Sequence, residues 1–454
     1  MKWFKRILIV FVLLLAIAVA LPFFISINDY IPQIEKEVSA RLKEPVSLKS
    51  IRFTLLPSPY VTVDGIKVGD ADGIMLGKLL VTPDLFSLLQ PVKVIKSIEI
   101  DSVTLTQKAI DKILALAKLD AAKSPQQQIR VESILLKGVL VNFGKVSFGP
   151  FDARVNLDSR GEPEDASIAT QDGKLRAIIK PDPSDKSNYL IDASAKAWTL
   201  PAGPALVFDE LIIKGVLTRN DANLGVVSAK LYGGTARGKT SVSWQKGLQL
   251  NGNLDIKHME LQQVAAMLSP GIHVSGKLSA QPGFAASAAS ASADQLMSAL
   301  RLEMFFNVQN GALHGIDIRK AATSLVRQGV TGGETRFEQL SGHLVLAQRS
   351  YRFTQIRIAS GSLAVDGQVN ISPKKALSGR INAQVKALGV STGVPLNVTG
   401  TIDTPILYPT GGTMAGAAVG TVLMGPGFGT SVGAKVGGWA EGLFGKPEAK
   451  KSKK

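Results

Sequence analysis

Cysteine is absent from the 454 residues of this chain. Without thiols the chain forms neither a disulfide framework nor a thiolate metal site, and thiol redox chemistry is excluded. Its stability outside the cytoplasm therefore has to come from packing and from hydrogen bonds.

Aromatic residues and histidines are scarce. Aromatics make up 6% of the chain, and they are not interleaved with arginine clusters as they are in many nucleic-acid-binding proteins. We therefore interpret the net charge of +16 as attraction to anionic lipid headgroups, with no nucleic acid as a partner. The histidines, His258, His273, His314 and His343, lack the spacing of metal ligands, so we expect no metal site and no cofactor.

A long apolar run occupies the N-terminus, where all residues from 7 to 25 are apolar. As a helix it would span roughly the 30 Å of a bilayer's hydrocarbon. Lys2, Lys5 and Arg6 precede the run, and this positive charge favours the cytoplasm for the N-terminus and export for the rest. We predict a single-pass anchor. A cleaved signal peptide is the alternative, because residues 18–20 fit the cleavage pattern.

The hydrophobic pattern changes to a period of two after residue 45, which is typical of β-strands. Turn signals recur about every 8 to 12 residues between 129 and 256, and such short connections predict antiparallel pairing. Short helices are expected at 31–42, 107–119, 259–268, 294–302 and 317–327. The pattern predicts a mainly β fold: a long curved antiparallel β-sheet groove with a few short helices.

Composition divides the chain into five segments. A polar run near residue 125 and a Ser/Ala-rich link at 285–293 mark internal boundaries. The expected segments are a basic stub with the anchor (1–27), an amphipathic helix with a β unit (28–125), a central β-meander (126–284), a C-terminal β unit with short helices (285–408) and a Gly/Ala-rich tail with a basic end (409–454).

Residues 231–238 resemble residues 360–367, and one offset of 129 positions also aligns Val242 with Ile371. The match predicts that one β unit is stacked on another. Chance similarity between two hairpins is the alternative.

Two motif matches are rejected on structural grounds. Residues 233–240 fit the phosphate-binding loop pattern, but the following residues alternate like a strand, and this chemistry requires a helix there. Residues 429–433 fit a nucleophile elbow, but no histidine follows Ser431. We therefore expect a hairpin at the first match, low-complexity sequence at the second, and no enzymatic activity.

The tail from 411 to 445 places small residues four apart, which would let a helix approach a partner closely. A disordered extension is the alternative, because glycine costs about 1 kcal/mol per residue in a helix. Membrane contact is expected from aromatic side chains at both ends of the chain: Trp3, Phe4, Phe23, Phe24, Phe428, Trp439 and Phe444.

Several segments, in serial order, resemble the AsmA family. They are residues 44–48, 55–63, 83–89, 231–234, 310–318, 335–342 and 395–405. The resemblance implies an inner-membrane-anchored periplasmic protein of Gram-negative bacteria, related to bridge-like lipid transfer proteins and contributing to outer-membrane biogenesis. The implied partners are phospholipids or other envelope lipids, the inner membrane, and envelope proteins docking on the tail. The chain departs from the family in its shorter middle and its Gly/Ala tail.

The candidate helices are too few and too short to cover so many one-sided strands. Either two sheets cover each other in a sandwich, or a curved sheet leaves its apolar face for acyl chains. We predict the second arrangement, a groove for phospholipid transport lined by Val61, Val63, Val242, Leu363, Val365, Val369 and Ile371. The alternatives are a closed β-sandwich acting as an assembly or scaffold factor for envelope proteins and, third, an enzyme acting on lipid or polysaccharide.

Overall fold

The computed structural model describes residues 27–42, 44–54, 59–69, 74–106, 129–143, 146–201, 205–245, 247–268, 274–289, 293–323, 329–361, 363–387 and 390–411. These residues form 24 strands, four α-helices and two 3₁₀-helices, so the prediction of a mainly β protein is confirmed. None of the helices in these ranges has the length and apolar character needed to cross a membrane. The apolar run at 7–25, the predicted helix at 107–119 and the tail beyond 411 lie outside the described residues.

The chain divides into two compact units. Unit 1 comprises Met1–Lys196 with Lys214–Arg219, and unit 2 comprises Ala197–Ile213 with Asn220–Lys454. This division falls between residues 196 and 220, and the boundaries expected near residues 125 and 285 stay predictions.

Unit 1 contains two 3₁₀-helices, one α-helix and the first eleven strands, the last of which ends just beyond it. Their bounds are η1 (Ile27–Tyr30), α1 (Ile31–Leu42), β1 (Val46–Ser47), β2 (Ser50–Thr54), β3 (Tyr60–Val68), β4 (Ile74–Pro83), η2 (Leu85–Leu89), β5 (Lys93–Thr106), β6 (Ile129–Val131), β7 (Ser133–Phe143), β8 (Val146–Leu157), β9 (Pro163–Thr170), β10 (Leu175–Pro181) and β11 (Tyr189–Thr199).

The predicted amphipathic helix is present as α1, and hydrogen bonds from its polar face hold it on the sheet. The Glu35 carboxylate accepts the backbone N–H of Leu48 at 2.7 Å, and the Ser39 hydroxyl accepts that of Val46 at 2.8 Å. These bonds satisfy donors at the short first strand, which pairs only with β3 among the described strands.

Two pairings of β5 in unit 1 depart from the predicted antiparallel pattern. Strands β6 and β7 run parallel to β5, with Ile98 opposite Ile134 and Thr104 opposite Leu140. A parallel pair needs a crossover of a dozen or more residues, and residues 107–128 provide that length. The Lys137 ammonium forms an ion pair with Glu99 across this junction, and this hydrogen bond raises the pKa of Lys137.

Unit 2 contains the remaining strands and three short α-helices. Their bounds are β12 (Val207–Leu217, most of which lies in this unit), β13 (Asp221–Leu231), β14 (Gly234–Ser243), β15 (Leu248–Glu260), α2 (Leu261–Leu268), β16 (Val274–Ala280), β17 (Gly283–Ala288), α3 (Ala293–Ala299), β18 (Arg301–His314), α4 (Ile318–Thr323), β19 (Glu334–Ala347), β20 (Ser350–Ser360), β21 (Leu363–Ile371), β22 (Leu377–Ala387), β23 (Val390–Gly400) and β24 (Pro405–Pro409).

The three helices occur where helical spacing predicts them, but the link expected at 285–293 is partly wrong. Its first four residues belong to β17, where Ala286 and Ala288 are buried opposite Leu250 and Leu248 of β15. Buried Ala286 and Ala288 alternate with exposed Ser287, as in a one-sided strand, so low complexity here does not mean a linker.

The internal repeat is visible in the geometry as well as in the sequence. The β13–β14 hairpin has a bulge between Leu224 and Val227, and the β20–β21 hairpin has one between Phe353 and Ile356, each displaced by 129 positions. The first and last residues of β20 lie 129 positions after those of β13. The first residue of β22 likewise lies 129 positions after that of β15. Chance similarity does not explain a shared bulge, so the structure supports a repeated unit. Residues 233–240 form a turn and a strand, as predicted, not a phosphate-binding loop.

Glycine is required at equivalent positions of both copies. A Cβ at Gly238 would lie 2.0 Å from the Asn253 carbonyl oxygen, and a Cβ at Gly367 would lie 2.5 Å from that of Arg380. Each glycine therefore lets the following strand approach.

We expect Gly238→Ala to destabilise the protein by about 1–3 kcal/mol, because the new methyl group overpacks the β14–β15 contact. Gly225→Ala is the matched control, since no atom lies within 4 Å of its Cβ position. Urea unfolding followed by circular dichroism measures both. Equal stability of the two variants would contradict the close approach.

Candidate functional site

Unit 2 contains an apolar cavity of about 390 Å³. All of its lining side chains are Leu, Ile, Val, Met or Phe, and no titratable group lines it. They come from strands β16 and β18 to β24, from helices α2 and α4, and from the connections beside them. This lining offers no hydrogen-bond partner to a water molecule.

The sheet of unit 2 curves around this cavity. Seven successive pairings separate β16 from β24. Laid flat at about 4.8 Å per pairing, these two strands would be roughly 34 Å apart. Val274 of β16 and Leu407 of β24 nevertheless line one cavity, so the sheet has to bend between them.

Three of the predicted lining residues meet at this site. Val365, Val369 and Ile371 project from the same face of β21 and all line the cavity. Leu363 shares that face and is buried, but it does not line the cavity. Val242 lies on β14 opposite Ala222 and Leu250, outside the cavity.

Val61 and Val63 lie in unit 1, in cross-strand rows of apolar residues. Val61 is flanked by Phe53 and Val81, and Val63 is flanked by Ile51 and Leu79. Of these, only Ile51 is buried, and the others are half-buried. The row through Val61 continues across β5 and β7 through Ile98 and Ile134, also half-buried. The sheet of unit 1 therefore presents a partly covered apolar face.

The sequence prediction missed the aromatic part of the cavity. Phe306 of β18 and Phe353 of β20 meet edge to face, with ring centroids 6.1 Å apart. Gly342, between them on β19, leaves room for this contact, because a Cβ there would lie 2.9 Å from the Phe306 ring. The alternation of Leu302, Met304, Phe306 and Val308 carried the signal for this face.

Helix α4 packs on the cavity and is fixed at its start by a buried hydroxyl. Thr335 accepts the backbone N–H of Ile318 at 2.9 Å and donates to the Ile316 carbonyl at 2.8 Å. Ile318 lines the cavity, and Ala321 is fully buried. Small side chains on this helix let it lie close to the sheet.

A polar chain of three side chains adjoins the cavity. The Ser275 hydroxyl lies 3.1 Å from His314 Nε2, and His314 Nδ1 lies 3.1 Å from a Glu334 carboxylate oxygen. Val274 and Leu313, the residues just before Ser275 and His314, line the cavity. The order resembles that of a nucleophile, a base and an orienting carboxylate.

Two further hydrogen bonds give these three polar side chains a structural role. The Ser275 hydroxyl accepts the Ala312 backbone N–H at 3.1 Å, next to the bulge between β16 and β18. Glu334 also accepts from the Arg336 guanidinium at 2.7 Å, which, with smaller contributions from His314, keeps the pKa of Glu334 below its usual value. The three polar side chains therefore join the ends of β16, β18 and β19.

Metal-binding geometry is not found in the described ranges, where no group of three His, Asp or Glu side chains could hold an ion. His343 bonds Glu303 at 2.9 Å and stacks on Phe305, on the face of β18 opposite the cavity. The expected membrane-contact residues Trp3, Phe4, Phe23, Phe24, Phe428, Trp439 and Phe444 lie outside the described ranges.

Comparison with models of known protein families finds no match to this chain. Comparison with curated protein sequences finds none either.

We expect no serine-hydrolase activity from the polar chain, because the Ser275 hydroxyl and the Glu334 carboxylate are both committed to other bonds. A fluorophosphonate probe should label the wild-type protein no more than Ser275→Ala. Labelling that is lost in Ser275→Ala and in His314→Gln would show instead that Ser275 is an activated nucleophile.

Proposed function

We propose that this protein carries or shields lipid acyl chains on the apolar face of its β-sheet, and that it does so without catalysis. The observation that supports this proposal is the apolar cavity of unit 2, to which Val365, Val369 and Ile371 all contribute. The sheet around it then acts as a hydrophobic β-groove.

The energetics favour an acyl chain as the occupant. Each CH₂ group removed from water is worth about 0.8 kcal/mol, so a segment of several groups offsets much of the cost of leaving a bilayer. The cavity is more than twice the size of an engineered cavity of about 150 Å³ that binds benzene. It has no polar partner for a headgroup, which would stay in water.

The half-buried rows in unit 1 supply a second surface of the same chemistry. Apolar side chains such as Phe53, Val61 and Val81 retain partial contact with water in the protein alone. An acyl chain lying along such a row would cover them, whereas a scaffold with closed layers would leave no such face.

The setting of this activity comes from the resemblance to the AsmA family and from the N-terminal sequence. The apolar run at 7–25 anchors the protein in the inner membrane, with its N-terminus in the cytoplasm and its bulk in the periplasm. Its cargo is then phospholipid or another envelope lipid, and its contribution is to phospholipid transport and outer-membrane biogenesis.

Val369→Glu tests the cavity, because Val369 lines it without being fully buried. A carboxylate there faces only apolar groups, so we expect less co-purified phospholipid by mass spectrometry of the full chain. Gln368→Glu is the matched control, since Gln368 is exposed on the opposite face of the same strand.

Phospholipid retained equally by both variants and by the wild type would argue against the cavity as the lipid site. Wild-type protein that carries no lipid at all would favour the closed scaffold. In cells, Val369→Glu should raise outer-membrane permeability to a large antibiotic while the protein still folds and its abundance stays close to that of Gln368→Glu.

A further inference from the structure

The loop between β4 and β5, residues 84–92, displays large apolar side chains to solvent. Phe86 is 83% exposed and Leu89 is 95% exposed, with Leu85 at 47% and Val92 at 41%. We call these four residues the apolar tip. Single exposed apolar residues are common on protein surfaces, but four within eight positions of one short loop form a patch that needs a partner.

Hydrogen bonds fix the conformation of the loop that exposes these side chains. The Asp84 carboxylate caps η2 by accepting the Phe86 N–H at 3.2 Å. The Ser87 hydroxyl is buried, donates to the Asp84 carbonyl and accepts the Val94 N–H at 2.7 Å. Polar residues thus fix the base of the loop while the apolar tip points away from it.

Basic residues flank the apolar tip. Lys93 follows it directly and reaches back to the Gln90 carbonyl at 2.6 Å. Lys96 lies three residues further along β5 and is more than half exposed. Its ammonium nitrogen lies 3.8 Å from a carboxylate oxygen of Asp84. Apolar side chains bordered by lysine suit the boundary between acyl chains and anionic headgroups.

Helices η1 and α1 lie along the first strands, and two hydrogen bonds show the direction in which they run. The side chain of Asn28 in η1 accepts the backbone N–H of Ile51 on β2. From there α1 runs away toward Val46, whose N–H bonds Ser39. Going back along the described chain from Ser39 to Asn28 therefore moves toward the end of β2 at Thr54.

Strand register places the loop at that end too. Thr54 pairs with Tyr60 at the start of β3, Val61 pairs with Val81, and β4 ends two residues later at Pro83. The apolar tip therefore lies at the end of unit 1 where β2 ends at Thr54.

We propose that the apolar tip is a second membrane contact, which inserts into the surface of an anionic bilayer and holds unit 1 against it. The partner is a lipid surface because the loop combines exposed apolar residues with flanking lysines. This contact is separate from the cavity, so a variant of the tip leaves lipid retention in unit 2 intact.

Two other turns at this end of the sheet carry charged side chains, which would not insert into a bilayer. The β8–β9 turn carries Asp158 and Glu162, and the β10–β11 turn carries Asp182, Asp185 and Lys186. Among these described turns, the one between β4 and β5 therefore suits a bilayer, and the polar turns provide control positions.

The absence of cysteine makes a site-specific test direct. Single variants Phe86→Cys, Leu89→Cys and Lys186→Cys are labelled with an environment-sensitive fluorophore in the full chain, reconstituted into vesicles of phosphatidylethanolamine and phosphatidylglycerol. We expect blue-shifted emission at 86 and 89, quenched by lipids brominated on their acyl chains, and water-like, unquenched emission at 186.

Charge and side-chain variants sharpen the result. In the Leu89-labelled protein, Phe86→Asp should reduce the quenching, and Val226→Asp, at an exposed valine of unit 2, should not. The quenching should also be weaker in zwitterionic vesicles than in anionic vesicles. Water-like emission at 86 and 89 in anionic vesicles would overturn the proposal. So would shielding that appears only when envelope proteins are added, which would identify a protein as the partner.

Discussion

The structure depends on one-sided strands that have too little protein to cover them. Alternation with a period of two gives each strand one apolar face, and in unit 2 these faces align across β18 to β24. The short helices α2 and α4 contribute few side chains to that surface. Bending the sheet brings the apolar faces toward one another and leaves an apolar cavity between them.

The sequence was most informative where alternation is regular. Val365, Val369 and Ile371 alternate with exposed residues along β21, and the structure brings these three to the cavity. Alternation assigns a residue to a face but not to a site, which is why Val61, Val63 and Val242 lie elsewhere. It also cannot reveal curvature, because bending depends on bulges such as that between Phe353 and Ile356.

Two errors arose where composition competed with pattern. Ala285–Ala288 resembles a linker because its side chains are small, although Ala286 and Ala288 are buried and alternate with exposed Ser287 along β17. The parallel pairing of β5 and β7 had no local signal, because local turn spacing does not determine how strands across a long connection pair. The Ser275, His314 and Glu334 chain was equally hidden, since its members are distant in sequence and meet only through strand register.

The parallel junction also has a consequence for how unit 1 folds. Its pairs, such as Ile98 with Ile134, join residues 36 positions apart, the longest separation among the strand pairings described in that unit. Hairpins can close as soon as both arms exist, but β5 has to wait for a distant segment to return before its free edge is satisfied. During that interval the unpaired amides of β5 can pair with a neighbouring chain. A chaperone that covers β5 on the nascent protein would prevent this pairing.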